Sequence, residues 1–324
     1  LDVPALEACL EGLGEPLGQR SLRARQLFHW IYHRGAISFE TMSTLPRALR
    51  ARLAETCSVA RPAVVTEQRS GDGTWKWLLR FADGQEVETV FIPEDDRGAL
   101  CVSTQVGCTL TCSFCHTGTM PLVRNLGAPE ILAQMAQAQA ALHRVPSDRI
   151  FAAGLSAGAA MAVILGQTHP EVFAAIGAHS GLPFGAARDV PGAFAAMNGT
   201  GMADSARPRA ATATPTIIFH GSADRTVHPQ NAASIAADTL AAGPDQTIAD
   251  QATATTGGRS HRRDITSTLD GQVIVDHWTV EGLGHAWSGG RAGGSYTDPK
   301  GPDASAEMVR FFLAQPRGGS GKAA

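Results

Sequence analysis

An apolar run from Arg149 to Leu155 passes through Gly154-Leu155-Ser156-Ala157-Gly158 directly into an Ala-rich run that ends at Gln167. Small residues around a serine let a chain turn sharply from strand into helix and lift the hydroxyl to the top of a sheet. Such a turn requires a parallel sheet with helical crossovers, and the residues that follow repeat the alternation. Phe173–His179, Thr216–His220 and Val273–Glu281 predict strands, and Asn231–Ala241 and Ala304–Leu313 predict helices. The predicted class is α/β: a small N-terminal helical domain with a β hairpin, then a truncated, mainly parallel sheet.

The chain changes character near residue 135, from a mixed composition rich in Arg, Leu and Trp to one dominated by Ala, Gly and Thr. Upstream, segments 3–12, 21–33 and 46–56 read as short amphipathic helices. Trp75–Phe81, Asp83-Gly84 and Glu86–Ile92 read as a hairpin, and Ala99–Gln105 as a further strand. Pro129–His143 is a helix pattern with Pro129 and Glu130 suited to its first turn. The expected organisation is a helical accessory domain over 1–60, a hairpin, strand, loop and helix over 61–135, the α/β part over 136–315, and a disordered polar tail over 316–324.

Charge and cysteine usage narrow the classes. A net charge of −3 gives no global signature of a nucleic-acid or membrane binder, although arginines crowd the region from Arg20 to Arg52. No apolar run is long enough to span a bilayer and no basic-then-apolar leader opens the sequence, so no membrane partner and a cytoplasmic location are expected. All six cysteines lie at or before Cys115, and four of them fall between Cys101 and Cys115. That clustering suits metal ligation better than a disulfide framework.

Cys108, Cys112 and Cys115 are spaced C-x-x-x-C-x-x-C, with Phe114 before the third. Three thiolates can hold three irons of a cluster and leave the fourth open to a cofactor. A zinc site is the alternative, with His116 as a fourth ligand. Around this loop, RARQLFHWIYHRGAISFETMSTLP, VETVFIPEDDRGALCVSTQVGCTLTCSFCHTGT and LVRNLGAPEIL make residues from about 12 to 135 resemble the N-terminal part of the RlmN/Cfr group. These are radical S-adenosylmethionine (SAM) methyltransferases of large-subunit rRNA adenine C2 or C8. The resemblance implies an RNA-binding accessory domain for rRNA or tRNA, the start of a partial barrel, SAM, and a [4Fe–4S] cluster on Cys108, Cys112 and Cys115. It also implies a proton-accepting Glu88 and a reactive Cys101. That family passes its methyl group through a second, C-terminal cysteine, whereas this sequence has none after Cys115.

Ser156 needs a base, and the base an acid, in the chain order Ser, Asp, His. Asp224 follows the strand Thr216–His220, and His285 follows Val273–Glu281 within Gly282-Leu283-Gly284-His285. His220, His228, Asp270 and Asp276 are alternatives for these roles. The backbone N–H of Ala157 is offered to an oxyanion. The segments DRIFAAGLSAGAAMAVILGQTHPEVFAAIGAHSGLPFG, TIIFHGSADRTVHPQNA, GLGHAWSGG and GSYTDPKGPDASAEMVRFFL make residues from about 140 to 314 resemble the C-terminal part of polyhydroxybutyrate-depolymerase esterases. The resemblance implies the triad Ser156, Asp224 and His285, an acyl-serine intermediate, a polyhydroxyalkanoate or short-chain ester substrate, and no cofactor. Members of that family are often exported. The family's earlier strands and its second oxyanion donor have no counterpart here, and one such donor is worth about 2.7–4 kcal/mol in the transition state.

Both resemblances stop within one helix, so the chain reads as a chimera. Its expected function is an ester hydrolase impaired by truncation. The alternatives are a radical-SAM rRNA (adenine-C2) methyltransferase remnant and a non-functional gene-model fusion. A right-handed crossover of strand 99–105, helix 129–143 and strand 149–155 is expected to carry the first strand to the edge of the second sheet.

Overall fold

The computed structural model describes residues 3–94, 98–108, 119–142, 149–200, 212–294 and 296–315. They fall into two compact units, Leu1–Val145 and Pro146–Ala324.

The first unit opens with three helices, α1 (Val3–Gly12), α2 (Leu17–Phe28) and α3 (Arg47–Thr56). Pro16 and Pro46 stand immediately ahead of α2 and α3 in extended backbone, with ψ of 138° and 142°. Proline lacks an N–H and disfavours helix before it, so both helices start there. The helix expected over 21–33 begins earlier and closes in a π turn, His29–His33. Leu6 and Leu10 on α1, and Leu49 and Leu53 on α3, are buried at i, i+4 spacing, the repeat that gives a helix one apolar face.

Four antiparallel strands follow in the order β1 (Ala63–Arg69), β2 (Trp75–Arg80), β3 (Glu86–Pro93) and β4 (Gly98–Cys101). The expected hairpin is β2–β3. Trp77 and Leu79 on β2, and Val87 and Thr89 on β3, are buried at a spacing of two, so one face of the pair packs inward. Two short strands, β5 (Gln105–Val106) and β6 (Arg124–Asn125), pair before helix α4 (Ala128–Leu142). Buried Gln134 ties α4 down: its Oε1 accepts from Thr89 Oγ1 and the Ser103 N–H, each at 2.8 Å, and its Nε2 donates to the Ser103 carbonyl at 2.8 Å. Arg124 forks onto Glu130 at 2.7 and 2.9 Å and reaches Asp83 at 2.6 Å.

The expected crossover does not form. Gly98–Cys101 runs antiparallel to β3 and is spent in the first sheet, and α4 lies wholly in the first unit. No barrel closes among the described residues. Helix phase is kept across the junction, but a strand already paired by its own hairpin neighbour has no reason to leave it.

The second unit is a six-stranded sheet in the order β10 (Thr247–Thr256), β11 (Arg259–Thr268), β12 (Val273–Val280), β9 (Thr216–Gly221), β8 (Ala175–His179), β7 (Phe151–Leu155). The three pairings from β12 to β7 are parallel and the β10–β11–β12 pairings antiparallel. Helices α5 (Ala157–Thr168), α6 (Val190–Met197), α7 (Gln230–Ala241) and α8 (Ala304–Ala314) complete the α/β arrangement. β8 and β9 are buried throughout, as interior strands are, whereas β7 ends the strand order and is only half-buried, with Ala153 exposed. Phe219, fully buried, stacks on Trp278 at 5.1 Å and lies in a core with Phe311 and Phe312 of α8. The β10–β11 hairpin was not expected from the sequence, and it closes on Gly257-Gly258, both at positive φ.

The β7–α5 turn shows why the glycines around the serine differ. A Cβ on Gly154 would lie 2.3 Å from the Gly158 carbonyl carbon and 2.7 Å from the Ala159 nitrogen, so strand and helix can approach only if residue 154 is glycine. A Cβ on Gly158 would meet nothing within 4 Å, so Gly158 is not needed for room as the motif suggests. Gly154→Ala is therefore expected to cost about 1–3 kcal/mol by overpacking. Gly158→Ala is expected to be neutral or to gain up to about 1 kcal/mol of helix propensity. Urea unfolding of the two variants checks the contrast.

Candidate active site

Ser156 occupies the turn between β7 and α5 with φ 58° and ψ −118°, a conformation costly for any residue with a Cβ. Its N–H donates to the His179 carbonyl at 2.9 Å, fixing the turn against the end of β8. The serine hydroxyl does not cap α5. Ala157 is the first residue of that helix and is exposed, so its N–H has no carbonyl partner within the helix.

Asp224 follows β9 and is buried. Its Oδ1 accepts the Thr226 and Val227 N–H groups, each at 2.9 Å, and its Oδ2 accepts His285 Nδ1–H at 2.8 Å. The Ser180 hydroxyl is a further donor to this carboxylate. Burial opposes charging of Asp224, but the bonds from His285, Val227 and Ser180 outweigh it and hold the carboxyl at about 2. His285 thus has its Nδ1 proton committed to an anion, which leaves Nε2 as its basic nitrogen. The ring of Tyr296 meets the His285 ring edge-on, centroids 6.2 Å apart.

Behind Asp224 sits a chain of buried polar groups that the sequence reading missed. The Ser288 N–H donates to His179 Nε2 at 3.1 Å, so Nδ1 carries the proton and gives it to Ser180 Oγ at 3.2 Å. Ser180 then has its own proton for Asp224. Burial first, and the nearby His220 and His285, lower His179 to about 3, so the ring stays neutral. The signal was present as His179-Ser180-Gly181, a polar pair ending an apolar strand beside the Ser156 strand. Ser180 is also at positive φ, 53°.

The alternatives fall to other roles. His220 is buried with Nε2 donating to the Val227 carbonyl at 2.8 Å, and burial lowers its pKa. Fully buried Asp276 is held by Arg263 at 2.6 and 2.7 Å and by Arg310 at 3.1 Å, a structural ion-pair cluster. Asp270 closes a turn with Thr268, and His228 Nδ1 accepts the Gln230 N–H.

In the first unit, Glu88 lies on β3, exposed, with its carboxylate on Lys76 Nζ at 2.7 Å. Cys101 ends β4, exposed, opposite Val90. Cys108 is half-buried and bridges to Pro121. Gly107, at φ 74°, makes that approach possible, because a Cβ there would lie 2.0 Å from the Pro121 carbonyl oxygen. Cys112, Cys115 and His116 lie outside the described residues, as does the expected tail over 316–324. Among the described residues no group of three His, Cys, Asp or Glu converges as a metal site, and no helix is long and apolar enough to cross a membrane.

Two family models match in succession. The N-terminal domain of the ribosomal RNA large subunit methyltransferase matches residues 1–59, and the esterase PHB depolymerase model matches residues 126–261. The second match contains Ser156 and Asp224 and ends before His285. A dual-specificity RNA methyltransferase RlmN of Rhodospirillum rubrum is 66% identical over 131 residues, 40% of this chain and 31% of that protein. The chain thus spans about a third of the length of that curated relative. A radical SAM methyltransferase from Sphaerobacter thermophilus is 28% identical with a TM-score of 0.47, over 73% of this chain and 80% of that one. An acetyl xylan esterase from Aspergillus awamori is 20% identical with a TM-score of 0.37, over 57% and 68%.

Two neutral histidines, one buried and one half-buried, and a low carboxyl set the pH response of the second unit. Burial lowers His179 to about 3 and His277 to about 4, while Asp224 is held at about 2. Below about pH 6.5 the unfolded chain takes up histidine protons that the folded unit refuses, and below about pH 4 the same holds for Asp224. Stability is full above that range and is lost as pH falls through it. Calorimetry from about pH 7 to about pH 4 is expected to show a falling midpoint for this unit, and a flat one would contradict the exclusion of protons from these histidines.

The first part of the chain thus resembles the N-terminal part of RlmN-type RNA methyltransferases and the second part resembles polyhydroxybutyrate-depolymerase esterases, the succession that a chimera of the two would show.

Proposed function

We propose that the second unit is a serine esterase acting on polyhydroxyalkanoate-type or short-chain esters. The 2.8 Å bond from His285 Nδ1 to Asp224 Oδ2 carries the reading, because it orients a base and leaves its other nitrogen for a nucleophile. Ser156 Oγ attacks the ester carbonyl carbon while His285 Nε2 takes its proton, and the Asp224 carboxylate stabilises the resulting imidazolium. The Ala157 N–H donates to the oxyanion. The imidazolium then protonates the departing alkoxide, leaving an acyl-serine that a His285-activated water hydrolyses.

On the resemblance, which leaves the family's second oxyanion donor without a counterpart, turnover is expected to be slower than that of a complete esterase by about 10²–10³-fold. Release of p-nitrophenol from p-nitrophenyl butyrate should disappear in Ser156→Ala and fall by about 10⁴-fold in Asp224→Asn. Turnover untouched by Ser156→Ala, or none from well-folded protein, removes the reading.

A second reading is favoured for the first unit by the 66% identity to an RNA methyltransferase over 131 residues. Cys108, Cys112 and Cys115 are the thiolates that would hold a [4Fe–4S] cluster, and such a cluster supplies the electron that cleaves SAM. Gly107 keeps the approach to Cys108 tight against Pro121, and the helical domain would meet rRNA or tRNA. Anaerobic reconstitution should load iron and sulfide in the full chain and fail to do so in Cys112→Ala. Equal loading in the variant counts against a cluster on these cysteines.

A further inference from the structure

Two cysteines outside the cluster motif stand together. Cys9, in the last turn of α1, places its Sγ 3.7 Å from the Sγ of Cys57, 48 residues later, at the end of α3. Both are free and half-buried. They line a cavity of about 220 Å³ whose wall also includes Tyr32, Phe39 and Arg61. That volume leaves ample room for a small neutral molecule such as a peroxide to reach the sulfurs. Cys57 is held in place by its own N–H, which donates to the Leu53 carbonyl at 2.8 Å, and it leaves the helix in extended backbone. Residue 57 is therefore free of helical rotamer limits, and the sulfurs need to close by only about 1.7 Å to reach bonding distance.

We infer that Cys9 and Cys57 form a peroxide-driven, reversible disulfide that staples the first helix to the end of the third. The order of events follows from their surroundings. Burial first, with the Cys57 sulfur as hydrogen-bond partner and nearby charge, pushes the Cys9 thiol up, which suits Cys9 to the second, resolving step and assigns the first attack to Cys57. The Cys57 thiolate attacks one peroxide oxygen, the O–O bond breaks, and hydroxide leaves to take up a proton as water. The sulfur is then a sulfenic acid. Cys9 sulfur attacks it, the S–S bond forms as the S–O bond breaks, and the Cys9 proton leaves with the hydroxyl as a second water. Two thiols are oxidised to one disulfide and one hydrogen peroxide is reduced to two waters. In a reducing compartment such a bond is transient, which is how redox-responsive pairs behave.

The bond would close a 48-residue loop around α2, the π turn and α3, restricting the unfolded chain. The test treats the full chain with hydrogen peroxide, blocks remaining thiols by alkylation, digests it and maps linked peptides by mass spectrometry. The expected result is one peptide pair joining Cys9 to Cys57, lighter by two hydrogens, with a higher melting temperature for the first unit that dithiothreitol reverses. Cys9→Ser should lose the linked pair and the reversible rise, and should trap Cys57 as a sulfenic acid. The inference is overturned if both residues remain alkylated after peroxide, if Cys57 runs on to sulfinic acid in the unsubstituted chain, or if either cysteine pairs with Cys101 or Cys108 instead.

Discussion

The second unit is organised around a carboxylate. Asp224 accepts two backbone N–H groups from its own loop, the His285 ring from the loop after β12, and the Ser180 hydroxyl from the end of β8. Removing an anion from water is expensive unless donors replace the water, and here they come from three separate segments. One charge thereby fixes the relative positions of three loops, all at the C-terminal ends of parallel strands. The His179–Ser288 bond ties the end of β8 to the His285 segment a second time. The Asp276 cluster, in contrast, neutralises a charge within the sheet and under α8 without leaving a basic nitrogen available for chemistry.

Much of this was legible in the sequence because it rests on local rules. The apolar runs ending at Leu155, His179 and His220 become parallel strands within two residues of their expected limits, since an apolar run flanked by helix patterns has few other ways to be buried. The pairing of Asp224 with His285 followed from chain order and loop position. Ser180 was not legible as a donor to Asp224, because its role depends on a backbone φ and on a histidine tautomer set by Ser288, far along the chain. The β10–β11 hairpin carried a readable Gly-Gly turn flanked by Thr-rich strands, but its exposed, weakly apolar residues gave no burial pattern.

The first unit shows where local reasoning fails. The strand before the cysteine loop was expected to join a parallel sheet, yet Gly98–Cys101 pairs antiparallel with β3. An alternating pattern specifies a strand and a face, but the partner is decided by which neighbour is already close, and the hairpin was closer. Gln134 was equally unreadable. As a polar residue in an Ala-rich helix it carries no local mark of burial, and only the structure shows it holding Thr89 and Ser103 together.

Three residues other than glycine have positive φ among the described residues: Ser156, Ser180 and Tyr296. One is the proposed nucleophile, one donates to the acid, and one lays its ring against the histidine. Each such conformation costs on the order of 1–3 kcal/mol and persists only while its surroundings enforce it. Opening this rim releases that stored cost, whereas opening the Phe219–Trp278 core must expose buried aromatic surface. The three strained backbones are therefore held by the contacts of the rim itself, and loss of those contacts frees each of them to relax.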